Sequence, residues 1–126
     1  MGYEAFVLTE ASRASLLEQF PPKFPDVIAH HITHRFGVHK PAEMPAPTPT
    51  SFEVVGYAAD DSLEALVVRK RTAVGQNRPD GKPYHITWSL DRSKGRKPVD
   101  SNAVIANGFE PIDKPVIVAA QFHYID

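Results

Sequence analysis

One tripeptide occurs twice in this chain, as His31-Ile32-Thr33 and His85-Ile86-Thr87, and it supplies the residue types best suited to chemistry. A neutral imidazole accepts a proton and a protonated one supplies it, so two histidines can act as a matched general base and general acid. Hydroxyls beside them can donate to an anion. Opening a cyclic phosphodiester uses all four groups: a base for water, an acid for the departing ribose oxygen, and donors where charge builds on the non-bridging oxygens. Neither step requires a metal or a cofactor.

Such a site depends on strands to position it. Side chains alternate along a strand, so His and Thr of each copy share a face while the Ile enters the other layer. The first copy lies in a long β-rich run, Asp26 to Val38, and the second in a strand from Tyr84 to Asp91. Around them, Tyr3 to Thr9 reads as a first strand. Glu10 to Phe20 reads as an amphipathic helix, with Ala14, Leu17 and Phe20 at helical spacing and Pro21-Pro22 as its stop. Phe52 to Ala59 and Leu63 to Arg71, joined by Asp60-Asp61-Ser62, form a hairpin pattern. Thr72 to Pro83 is a glycine–proline loop with an expected turn at Asp80-Gly81. Asp100 or Ser101 caps a short helix through Ala106, ended by Asn107-Gly108, and Pro115 to Tyr124 closes the chain as a strand.

The order carries an internal echo, one motif strand per half-chain. The expected fold is α+β: one domain over residues 1–126, built as compact two-lobed antiparallel sheets with two outer helices and a central groove carrying the motif strands.

Composition narrows the partners. The 126 residues include 14 basic and 15 acidic side chains, a net charge of −1, so an anionic ligand must be held by local clusters. The absence of cysteine excludes disulfides, thiolate metal sites and a cysteine nucleophile. Met1 to Ala5 lacks a basic region leading into a long apolar core, and no run is long enough to cross a bilayer. The expectation is a cytoplasmic monomer with no membrane partner. Pro41, Pro45, Pro47 and Pro49 mark Lys40 to Ser51 as an extended surface loop, a connector whose spacing also fits a PxxP ligand.

Paired His-x-Thr motifs on strands, in a small α+β chain of this order, resemble the two-histidine phosphoesterase superfamily, which includes the RNA ligase-like and cyclic phosphodiesterase families. The resemblance spans Ala5 to Phe122 and is densest in Tyr84-His85-Ile86-Thr87-Trp88-Ser89-Leu90 and in Lys97-Pro98-Val99-Asp100-Ser101-Asn102. It implies hydrolysis of a 2′,3′-cyclic phosphate or a related cyclic or 2′–5′ nucleotide phosphodiester. The four motif residues would be catalytic, with His85 as base and His31 as acid. Three features depart from the family: His34 stands where an apolar residue is usual, the motifs are only 54 residues apart, and the loop Thr72 to Pro83 replaces a helix. These departures point to a reduced, open site and a small or flexible nucleotide or RNA end.

Supporting residues follow from alternation and charge. Arg35 lies beyond Thr33 and Ser89 beyond Thr87, each on its motif's face, and Arg35 could grip a phosphate with two N–H groups. Arg92 and Lys94, with Arg96 and Lys97, form a basic loop after the second motif. Tyr84, Trp88, Phe36 and Tyr124 could stack a base, although Tyr84 and Trp88 alternate away from His85. His30, His31, His34 and His39 invite a metal reading. On a strand, however, His30 and His34 share one face and His31 takes the other, so no metal site is expected. The competing reading is a non-catalytic module that captures a nucleotide or RNA end in the same groove.

Overall fold

A computed structural model describes residues 1–44, 48–72 and 77–126. Its elements, in chain order, are β1 (Gly2–Leu8), α1 (Glu10–Gln19), β2 (Asp26–Val27), β3 (His31–Val38), β4 (Thr50–Ala59), β5 (Leu63–Lys70), β6 (Tyr84–Leu90), α2 (Ser101–Ala106) and β7 (Glu110–Ile125). Two 3₁₀ turns, Arg92–Lys94 and Pro98–Asp100, lie between β6 and α2. The architecture is mostly antiparallel sheet with two short helices, as the α+β expectation requires.

Strand pairing runs β6-β3-β1-β7-β4-β5 and returns from β5 to β6, closing a six-stranded barrel. The expected lobes are therefore not separate sheets, and the two motif strands are hydrogen-bonded neighbours. Alternation then sorts the side chains. Phe6, Ile32, Phe52, Val54, Leu66, Ile86, Trp88 and Val118 form the main core. A second apolar cluster, with Ala58, Leu63, Val67, Leu90, Val104 and Ile105, holds α2 against β5 and β4.

Local chemistry explains most boundaries. Thr9 leaves the strand to cap α1, its hydroxyl accepting from Ser12 N at 3.2 Å. Leu16, rather than Ala14, is the fully buried side chain of that helix, flanked by Leu17 and Phe20. Asp60 builds the β4–β5 turn by accepting from the amides of Ser62 and Leu63, both at 3.0 Å. The strand closing the chain begins at Glu110, ahead of the expected Pro115. It carries Pro111 and Pro115 where its register against β4 shifts between Val54 and Gly56.

The long run Asp26 to Val38 is interrupted. β2 and β3 lie end to end along one edge of β6, with β5 on the other. Between them Ala29 adopts φ 41°, a conformation uncommon for a residue with a Cβ. Its carbonyl is held by Arg13 Nε of α1 at 2.8 Å, and its amide donates to Thr87 O at 3.0 Å. This kink sets the start of β3 at His31. Among the described residues no helix is long and apolar enough to cross a membrane. Part of the proline loop (45–47) and of the glycine–proline loop (73–76) lies outside the described residues.

Candidate active site

Ile32 of β3 is the direct register partner of Ile86 of β6. Because the strands are antiparallel, this pairing places His31 toward Thr87 and Thr33 toward His85. Both isoleucines are fully buried in the barrel, so the four polar side chains are left to the outer face. There His31, Thr33, His85 and Thr87 line one cavity of about 280 Å³. Arg78 and Lys97 add positive charge to it, and among the described residues no carboxylate lines it.

Each imidazole has a constrained environment. Burial lowers His85 to a pKa of about 4, with the Arg78 charge adding to the effect and the Pro83 carbonyl opposing it. Burial lowers His31 to about 4 as well, assisted by the charges of His30 and His85. Both rings are therefore neutral at pH 7 in the unliganded protein. His85 Nδ1 makes a long contact, 3.4 Å, to the Pro83 carbonyl. A carbonyl only accepts, so Nδ1 carries the proton and Nε2 keeps its lone pair. His31 Nδ1 lies 3.0 Å from His30 Nδ1, which leaves Nε2 of His31 for other partners.

Thr87 is already engaged. Its hydroxyl donates to Pro98 O at 3.1 Å, so Ser101 Oγ, at 2.8 Å, must be the donor in their shared bond. The residue expected to grip an anion instead ties the Pro98–Ser101 segment to the motif strand. That segment forms one wall of the cavity through Lys97, Pro98, Val99 and Asn102.

Arg78 is the residue the sequence did not single out. It is 4% exposed, and its fork is held by Asp80: Nε donates to Oδ1 at 3.1 Å, and Nη2 pairs with Oδ2. Nη1 is buried and has no hydrogen-bond partner among the described residues. An orphaned guanidinium N–H is costly unless a ligand satisfies it, and a phosphate oxygen fits that need. The sequence cue was Arg78 two residues before Asp80 in the expected Asp80-Gly81 turn. That turn forms, with Gly81 at φ 84° and its amide bonded to Arg78 O. Nothing in the sequence indicates that the arginine is buried.

Of the supporting residues named from the sequence, Lys97 and Phe36 line this cavity; Arg35, Tyr84, Ser89, Arg92 and Lys94 do not, and Arg35 and Ser89 fail for one reason. A register shift between Glu4 and Ala5 makes His34 the extra residue of β3, so alternation breaks just past the motif. Arg35 turns out to an ion pair with Glu4 at 4.0 Å, and Phe36 joins the cavity in its place. On β6 a shift between Glu64 and Ala65 leaves Trp88 as the extra residue. Ser89 is fully buried there, donating to Glu64 Oε2 and accepting from Phe24 N.

Tyr84 belongs to the barrel core, with its hydroxyl 2.7 Å from His34 Nδ1 and its ring stacked on that imidazole. Arg92 and Lys94 sit on an exposed 3₁₀ turn, and Lys97 is the member of the basic loop that reaches the cavity. Trp88 donates to Phe20 O within the core, and Tyr124 bonds to Val38 O at the end of the barrel. Of the aromatic candidates, Phe36 alone lines the cavity. It is 55% exposed and packs on Tyr3, whose ring also lies 5.6 Å from His31.

The cavity thus has a polar floor of histidines, threonines and Arg78, and an apolar rim of Tyr3, Phe36, Pro98 and Val99. No family model matches the chain, and no curated protein or solved structure matches it.

Proposed function

We propose that the protein is a phosphodiesterase that hydrolyses a 2′,3′-cyclic or related cyclic or 2′–5′ nucleotide phosphodiester by paired-histidine catalysis, without a metal. The observation that carries this reading is the meeting of His31 and His85 in one cavity with the unpartnered Nη1 of Arg78. A bound phosphodiester would set its non-bridging oxygens against Arg78 and Thr33. Its negative charge favours protonation of one of two otherwise neutral imidazoles. His85 is assigned as base, because its Nδ1 proton is committed to Pro83 and Nε2 is free to accept from water. His31 is then the acid, protonated as the anion binds, and it supplies the leaving oxygen. Thr87 positions the Pro98 wall. The β3–β6 face serves as the groove, and the protein acts as a cytoplasmic monomer.

The neutrality of both rings favours a second reading, a module that binds a nucleotide or RNA end without cleaving it. One experiment separates the two. Wild type, His31→Ala and His85→Ala are incubated in EDTA with 2′,3′-cyclic nucleotides and 2′–5′-linked dinucleotides. Catalysis is expected in wild type and a loss of at least a thousandfold in each variant. Turnover that survives both substitutions overturns the proposal, and tight binding without turnover establishes the module.

A further inference from the structure

His85 has a cavity on each side of it. Beyond the one already described, a second of about 160 Å³ is lined by Lys82, Pro83, Ile105, Ala106 and Phe109, and the two share His85 and Asn102 as a wall. The second cavity is apolar apart from the shared wall and a single lysine. Phe109 is 43% exposed, yet its ring is closely seated: a Cβ at Gly56 would stand 2.5 Å from Phe109 Cδ2. The strand residue without a side chain makes room for that ring. The first cavity has its own aromatic surface, Tyr3 on Phe36, next to His31.

A phosphate site flanked by two aromatic, partly exposed recesses suits a ligand with a planar group on each side of the phosphorus. A terminal 2′,3′-cyclic phosphate has one nucleoside and leaves the second recess unused. We propose that the second cavity is a nucleoside subsite, and that the substrate is an internucleotide phosphodiester whose two nucleosides occupy the two recesses. This rests on the paired-histidine reading above. In the cleavage step a water oxygen bonds to phosphorus as its proton passes to His85. The bond from phosphorus to the leaving nucleoside's oxygen breaks, and His31 protonates that oxygen. The products are a nucleoside alcohol, released from the Tyr3–Phe36 side, and a phosphomonoester on the nucleoside in the second cavity. Lys82, at that end, suits a further phosphate on the retained nucleoside.

The test compares binding of two probes to the full chain by calorimetry: a non-cleavable methylenephosphonate-linked 2′–5′ diadenosine and adenosine 2′-monophosphate. Wild type is expected to prefer the diadenosine at least tenfold. Ala106→Trp fills the second cavity from an exposed position at the end of α2 and should reduce that preference to within threefold. Phe109→Ala should reduce it as well, by removing the ring rather than blocking the space. Equal affinity of the two probes for wild type, or a preference unchanged in both variants, overturns the subsite. Failure of the paired-histidine reading is seen separately, as turnover insensitive to His31→Ala and His85→Ala while the binding preference persists.

Discussion

Ile32 and Ile86 face each other across β3 and β6, each the middle residue of a His-Ile-Thr copy and each completely buried. This one pair holds the two motifs in register, since it is the register contact the two strands make among the described residues. Slipping either strand by one residue would send the histidines into the barrel. Ile86→Ala should therefore destabilise by about 2–5 kcal/mol, whereas Ile86→Val should cost about 0.5–1.5 kcal/mol. Urea unfolding measures both. Activity of folded Ile86→Ala should fall further than its stability accounts for, because the seam positions both imidazoles.

Arg78 offers a test of the proposed phosphate site. Lysine in its place keeps the charge but loses the two-pronged bond to Asp80 and the Nη1 donor. Arg78→Lys is expected to lower kcat by about a hundredfold. It should also weaken inorganic phosphate binding at least tenfold, with Tm changed by only a few degrees. Unchanged phosphate affinity in this variant would remove Arg78 from the site.

The histidines make stability depend on pH with a definite sign. An unfolded imidazole titrates near ~6.5, while His85 in the fold titrates at about 4 because burial penalises its charge. Between those values the unfolded chain binds more protons, so stability is complete above about pH 6.5 and is lost as pH falls toward 4. For the well-buried His85 the loss is of order 2–3 kcal/mol, and His85→Gln should flatten the profile. His31 contributes in the same window with the same sign.

On the proposed mechanism, the same shifts set the pH dependence of catalysis. The pH profile of kcat/KM reports the free enzyme, where the pair titrates well below ordinary imidazole. Its optimum is expected on the acid side of pH 6, falling about tenfold per unit above the upper apparent value. A bound phosphate should move the imidazole titrations upward. NMR titration of the histidine ring protons, with and without a nucleoside 2′-monophosphate, checks this, and unmoved midpoints would separate the rings from the ligand.

Gly56 accommodates the ring of Phe109. Gly56→Ala places a methyl 2.5 Å from Phe109 Cδ2 and 3.3 Å from the Glu110 carbonyl oxygen. The substitution should cost about 1–3 kcal/mol by overpacking. Phe109→Ala in the same chain should recover most of it. A double-mutant cycle by thermal unfolding reads the coupling.

Much of this was legible in the chain, because it depends on short-range patterns. Apolar alternation marked the strands, Pro21-Pro22 stopped the first helix, and Asp60-Asp61-Ser62 turned the hairpin. Within each motif the period of two holds, which is why His31 with Thr33, and His85 with Thr87, share one cavity. One residue beyond each motif it fails. The bulges at His34 and Trp88 answer to the register of β1 and β5, partners whose alignment no local pattern encodes, so Arg35 and Ser89 were placed on the wrong face.

The amino-acid order by itself determined where most of the strands and turns fall, and that His31 shares a face with Thr33 and His85 with Thr87, since side-chain alternation is a property of a single strand. Tertiary structure decided the rest: that the motif strands are neighbours in a closed barrel, that Thr87 is bonded to the Pro98 wall, and that Arg78 is buried in the cavity both imidazoles line, with one N–H unsatisfied among the described residues. Those facts depend on strand register and on desolvation by residues far away in the chain. Both arise only when distant segments pack together.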